Sequence, residues 1–218
     1  MPTNLFFTGT VNVDESTYMF SPKVLDRAFT LEFNEVDLDS YGAETDLQET
    51  EGSPLRLSHF EGRLRVQPEK PNPRDWVNFR EQNPDLVKVL SSLNQVLRRT
   101  HRHFGYRVAN EIARFMNLAA EQAGATPASR WAAFDVAVLA KALPKLHGTQ
   151  QELETTLVDL FEFAVDPSSP SDVRLDDWRM EAGVLMRSGP PARLPRTAGK
   201  LLRMIERIRA HGFTAFIE

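Results

Sequence analysis

Residues 4–33 read NLFFTGTVNVDESTYMFSPKVLDRAFTLEF, and the rest of the chain is organised around them. Leu5-Phe6-Phe7 is a short apolar run, the pattern of a strand buried on both faces. The run ends at Asn12, with Asp14, Glu15, Ser16 and Thr17 behind it as a polar tip. Ser21-Pro22 has the form of an N-cap followed by proline at the first helical position. Phe29, Leu31 and Phe33 alternate with Thr30 and Glu32, which predicts a strand with one buried face. The expected order is strand, polar tip, short helix, strand. It places the tip and Arg27 at the edges of a sheet, and open α/β sheets bind ligands outside the carboxyl ends of their strands.

Composition sets the bounds. With 218 residues the chain can bury a real core in one or two domains. A net charge of −4 gives no reason to expect general nucleic-acid binding. There is no cysteine, which excludes disulfides and thiolate metal sites and fits a reducing cytosol. No apolar run approaches the length that spans a bilayer, and Met1 to Asn4 carries no basic side chain of a signal peptide. A cytoplasmic location without membrane contact is therefore expected.

Glu32, Glu35, Asp37, Asp39, Glu44, Asp46, Glu49 and Glu51 form an acidic run that reads as solvated, with no Lys or Arg between Arg27 and Arg56. Residues 34–54 are expected to form a solvated acidic loop, since no EF-hand pattern is present. Residues 55–66 alternate as a short hairpin would. Pro68, Pro71 and Pro73 read as a linker, which divides residues 1–70 from residues 71–218. From Asn83 the periodicity is helical, with Leu86, Leu90, Leu93 and Leu97 in one stripe. Arg98, Arg99, His101, Arg102 and His103 complement that helix's C-terminus, and Gly105 closes it. His101 and His103 would point different ways on a helix, so no metal site is expected.

A second helix begins near Tyr106 with Val108, Ile112, Phe115, Met116 and Ala119 as its apolar face. Thr126-Pro127 opens a third around Trp131, Phe134, Val138 and Leu139, and Pro144 ends it. Residues 143–148, with Lys145 and His147, read as a turn, 151–164 as a helix and 166–172 as a loop. Residues 175–186 are expected to be a further helix around Trp178. The final helix, Pro195 to His211, is preceded by Arg193 and carries Arg196, Lys200, Arg203, Arg207 and Arg209, and residues 213–217 read as a strand. Those cations read first as a solvated face.

The stretch 4–33 resembles the second half of an AAA+ nucleotide-hydrolysing module, most closely the McrB-like branch, which includes the GTPase motor of methylcytosine-dependent restriction. In that family a buried strand ends in an asparagine, sensor 1, which Asn12 in GTVNVDES matches. A helix then leads to an arginine just before the last core strand, and Arg27 in SPKVLDRAF matches it. That arginine is the finger that reaches the neighbouring subunit's nucleotide. The signature places an aspartate three residues after the asparagine; here Glu15 stands there, with Asp14 beside it. A sensor 2 arginine opens one lid helix, and FGYRVANEI is similar, so the resemblance implies nucleotide contact by Arg107 and Tyr106. LPRTAGKLL and GFTAFIE are similar to the family's tail.

No G-x-x-x-x-G-K-[ST] occurs in the chain, so the phosphate cradle has to come from elsewhere. The resemblance implies an α/β remnant of a P-loop NTPase (AAA+) core over residues 1–70, then an all-α lid over 71–218, mostly helical overall. It implies ATP or GTP with Mg2+ only once a P-loop-bearing half or subunit completes the site. It also implies AAA+ subunits in a ring, a nuclease partner and indirect contact with DNA. The chain is expected to be a fragment or a split subunit, and not to hydrolyse nucleotide alone.

Each assignment has a plainer alternative. Asn12 alone is a turn residue, Arg27 a local partner of Asp26 or Glu32, and Arg107 an i+4 partner of Glu111. The chemistry suits the residue types nonetheless. A neutral amide can aim a water where a carboxylate would repel the γ-phosphate. An arginine stays charged, and its planar fork matches phosphate oxygens. The alternative class is a non-enzymatic helical interaction module that binds DNA or protein through Arg193 to Arg209.

Overall fold

The computed structural model describes residues 9–10, 20–25, 27–32, 73–124, 126–181, 184–186 and 190–217. The chain divides into two compact units, Met1–Asn12 with Phe33–Lys70, and Val13–Glu32 with Pro71–Glu218. Of the described residues only Gly9 and Thr10 lie in the first. The expected strand at 5–7, the acidic loop at 34–54 and the hairpin at 55–66 lie outside the described residues.

The second unit is mostly helical. It opens with the single turn α1 (Pro22–Leu25) and continues with α2 (Pro73–Gln82), α3 (Pro84–Arg98), α4 (Tyr106–Ala123) and α5 (Pro127–Lys141). Strand β1 (His147–Thr149), helix α6 (Gln150–Val165), strands β2 (Arg179–Glu181) and β3 (Val184–Met186), helix α7 (Pro195–His211) and strand β4 (Phe213–Ala215) complete it. Among the described residues the strands form two small antiparallel pairs, β1 with β4 and β2 with β3.

The six longer helices pack as a closed ring: α2 on α4, α4 on α5, α5 on α7, α7 on α6, α6 on α3, and α3 back on α2. Their apolar faces meet inside. Leu86, Leu90, Leu93 and Leu97 of α3 are all buried, as their spacing predicts. Each such leucine contributes about 1.5–3 kcal/mol by leaving water. Phe134 of α5, Phe161 of α6 and Leu201 of α7 are fully buried in the same core.

Caps fix where the helices begin. Thr126 Oγ1 accepts from Ser129 N–H at 3.2 Å at the start of α5. At the start of α6 the Thr149 N–H and hydroxyl both donate to Glu152 Oε2, at 3.1 and 3.0 Å. These bonds hold the Glu152 carboxyl below its usual range, the backbone one most. The α7 cap comes from a distance: Asp135 on α5 accepts from the Arg196 and Thr197 N–H groups at 2.8 and 3.0 Å. Gly212, at φ 75°, ends α7 in the left-handed conformation that glycine adopts without strain.

The β1–β4 pair ties distant chain together. In the β1–β4 pair Gly148 faces Thr214, and Phe216 N–H donates to Leu146 O at 2.7 Å just beyond it. Gly148 has φ 155°, and a Cβ there would lie 3.1 Å from Glu152 Oε2 and 3.2 Å from Arg102 Nη2. Glycine is what lets β1 run so close to the start of α6.

Several expectations need correcting. Residues 175–186 are not a helix. Leu175–Asp177 is one 3-10 turn, after which β2 and β3 form a hairpin packed on α7. Trp178 is buried with its ring edge-on to Phe161 at 6.1 Å, so tertiary packing sets the local form. The proline linker ends earlier than expected, because α2 already begins at Pro73. The turn at 143–148 contains the start of β1.

Residues 28–32 are in no strand, and their alternation has the opposite parity. Phe29 and Leu31 are 41% and 61% exposed, whereas Ala28, Thr30 and Glu32 turn toward the helices. Backbone and polar bonds decide this. Thr30 N–H donates to Ala140 O at 3.3 Å, and Glu32 Oε1 meets Lys200 Nζ at 2.7 Å. With period two, fixing the even residues inward turns Leu31 outward, while Phe29 keeps a ring contact with Phe115 of α4.

Candidate functional site

Asn12, Asp14 and Glu15 lie outside the described residues. Arg27, Tyr106 and Arg107 are described, and all three are exposed.

Arg27 sits in the turn that ends α1. Its N–H and that of Ala28 both donate to Val24 O, at 2.9 and 3.0 Å. Leu25 is buried and anchors the turn. Immediately after Arg27 the chain is pinned at every second residue. Lys141 Nζ donates to Ala28 O at 2.7 Å, Ala140 O accepts from Thr30 N–H, and Lys200 takes Glu32. The Glu32 partner expected for Arg27 is thus occupied by Lys200. Among the described residues Arg27 makes no ion pair, and its guanidinium is presented to solvent from a fixed base.

Both lysines are unusual. The Lys141 side chain is 1% exposed and the Lys200 side chain 5% exposed. A buried ammonium is tolerated only when paired and hydrogen-bonded. Lys141 has Ala28 O and the Glu111 carboxylate. Lys200 has Glu32 and the face of the Phe216 ring, 4.8 Å from its centroid. Lys200 is therefore not part of a solvated basic face, nor Glu32 of a solvated acidic run. Elsewhere on α7, Arg209 Nε pairs with Glu154 at 2.6 Å.

Arg107 stands in the first turn of α4. The chain reaches it through a loop in which His101 adopts φ 59° and Asn94 brackets Phe104. Asn94 Oδ1 accepts from Phe104 N–H at 2.9 Å, and its amide donates to Phe104 O at 3.1 Å. The helix then starts at the extended Gly105, and no side chain caps its first turn. The free N–H groups there carry partial positive charge that Arg107 reinforces. Tyr106 is 91% exposed at the rim of a cleft of about 370 Å³ lined by Trp76, Leu90, Phe104 and Ala109. Such a helix start with an exposed arginine suits a phosphate or other anion. Glu111, the expected i+4 partner of Arg107, pairs with Lys141 instead.

Arg27 and Arg107 are linked through one pair of side chains. Glu111 lies one helical turn after Arg107 on α4, and Lys141 joins it to the backbone beside Arg27. Sequence reasoning named the two arginines, missed Lys141 and Asn94, and read Lys200 as one cation of a solvated face, where it is buried against Glu32. For Lys141 a signal existed: a lone cation inside the apolar run VAVLAKAL. A larger cleft of about 1020 Å³ opens beside the 166–172 loop, with Arg193 4.0 Å over the Trp131 ring. It holds none of the expected site residues. Among the described residues no group of three or more His, Asp or Glu is placed to hold a metal, and no helix is long and apolar enough to cross a membrane.

These features define a mostly helical domain with Arg27 and Arg107 among its exposed arginines. Residues 65–213 match the family described as Domain of unknown function (DUF8727). The match covers more than half of the chain, which belongs to that family. No curated protein and no solved structure matches it.

Proposed function

We propose that this chain is the C-terminal, lid-bearing part of an AAA+ ATPase or GTPase of the McrB-like type. In this reading Asn12 is sensor 1, with Asp14 and Glu15 beside it, Arg27 is the arginine finger, and Arg107 with Tyr106 contacts the bound nucleotide. Subunits assemble as a cytoplasmic ring that drives a nuclease partner on DNA. The P-loop comes from a separate half or subunit, as does the magnesium ion that accompanies the nucleotide. Phosphoryl transfer asks the protein to hold the phosphates, aim the water and neutralise developing charge. This chain supplies the second and third of these tasks.

The observation that carries the proposal is the pair of exposed arginines, Arg27 and Arg107, held on one helical body and unpaired among the described residues. An arginine finger needs an accessible guanidinium on a fixed base, and in support of this Arg27 is exposed and makes no ion pair among the described residues.

The pure chain is expected to release no phosphate from ATP or GTP. Mixed with the product of the reading frame immediately upstream, it should support turnover that neither part shows alone. Robust turnover by the pure chain, or none in the mixture, overturns the assignment. The interaction-module reading has less to draw on, because Lys200 is buried, Arg209 is paired and Arg193 lies on Trp131. Salt-dependent DNA binding that is lost when Arg196 and Arg203 are replaced would favour it.

A further inference from the structure

We infer that Lys141 is a positioning residue that locks the Arg27 segment to helix α4, so that Arg27 and the helix start carrying Tyr106 and Arg107 move as one body. The importance of this lock for hydrolysis rests on the function proposed above; the lock itself does not.

Lys141 ends α5 with its side chain 1% exposed. An ammonium offers three donors, and two of its acceptors come from separate elements: Ala28 O and the Glu111 carboxylate on α4. The lysine is therefore a bridge rather than half of a simple pair. Two further contacts flank it. Thr30 N–H donates to Ala140 O at 3.3 Å, and the Phe29 ring lies 5.1 Å from that of Phe115 on α4. Arg107 and Glu111 are four residues apart, on one face of α4. An anion that shifts the start of α4 thus moves Glu111, and through Lys141 the carbonyl next to Arg27. The Lys141 ammonium is enclosed while the Glu111 carboxylate is 35% exposed, so a displaced ammonium regains little water where it sits.

The absence of native cysteine makes the test clean. A chain carrying Arg27→Cys and Arg107→Cys takes spin labels at those two positions alone. Double electron–electron resonance should give a single narrow distance peak. Lys141→Met should replace it with a broad distribution while the circular dichroism melt stays cooperative. Glu111→Ala breaks the same bridge from the other side and should broaden the peak equally, and the double substitution should add nothing further. Glu111→Ala also carries the test if Lys141→Met fails to fold. An unchanged narrow peak in the folded variants overturns the lock, as does additivity of the two substitutions.

A second arm uses the unlabelled chain in an assembly that hydrolyses nucleotide. There Lys141→Met should lower kcat with KM little changed. A broadened distance with unaltered kcat leaves the lock standing and counts against Arg27 as the finger.

Discussion

In an assembly completed by a P-loop-bearing half, Arg27→Ala is expected to slow ATP or GTP hydrolysis by about three to five decades, or about 4–7 kcal/mol in the barrier. The size follows from where the charge acts. A finger neutralises charge that appears on the phosphoryl oxygens only in the transition state, so its loss falls on kcat. Nucleotide affinity should change little. Arg27→Lys should rescue only weakly, because an ammonium cannot offer the guanidinium's planar fork. Arg107→Ala should behave differently. An arginine at the start of α4 meets phosphate already bound in the ground state, so KM should rise. Steady-state kinetics of the three variants separates these outcomes. An Arg27→Ala assembly that turns over at the full rate would remove the finger assignment.

Asp135→Ala is expected to destabilise the folded chain by about 2–4 kcal/mol, read as a lower urea midpoint. Asp135 is buried, yet it caps a helix remote in sequence from its own. Without it the first N–H groups of α7 lose their acceptor inside the protein. Its titration gives a second signature. Burial pushes the Asp135 carboxyl above its usual value of 3.8, and the bonds from Thr197 and Arg196 offset this only in part. Below pH 3.8 the group is protonated in both folded and unfolded chains. As the pH rises the unfolded chain gives up its proton first, so this contribution to stability declines and is lost above the folded value. Asp135→Asn should remove that decline. Asp166 should show the reverse, since the Ser168 hydroxyl, more than the Ser168 and Ser169 N–H groups, holds its carboxyl low. Its contribution is present above pH 3.8 and is lost as the pH falls through the folded value. A carbon-13 carboxyl titration that finds Asp135 titrating below Asp166 would contradict at least one of these directions.

What the sequence made legible was local. The leucine stripe of α3 and the Thr126-Pro127 start of α5 follow from spacing and capping chemistry acting within a few residues, whereas α7, though its bounds could be read, takes its cap from Asp135. What it hid depends on distant partners. Strand β1 has three residues, too few for a pattern, and exists because it meets β4, which the sequence does mark as a strand over 213–217. The parity of residues 28–32 is set by Ala140 and Lys200, which no alternation rule in that stretch contains. The same holds for the candidate site. Arg27 and Arg107 could be named from the residues around them. That Lys141 and Glu111 join them could not, because the bridge spans three separate elements.

The ring of helices has a consequence for how the polypeptide is made. Its closing member, α7, leaves the ribosome after every other helix in the ring. Until then α5 and α6 present Phe134, Phe161 and their neighbours with one side uncovered, and the Asp135 carboxylate waits without the amides it will cap. Chains of this kind fold late and pass through a sticky stage during translation. A chain cut short before Pro195 is therefore expected to aggregate rather than yield a smaller folded domain, which its solubility on expression would check.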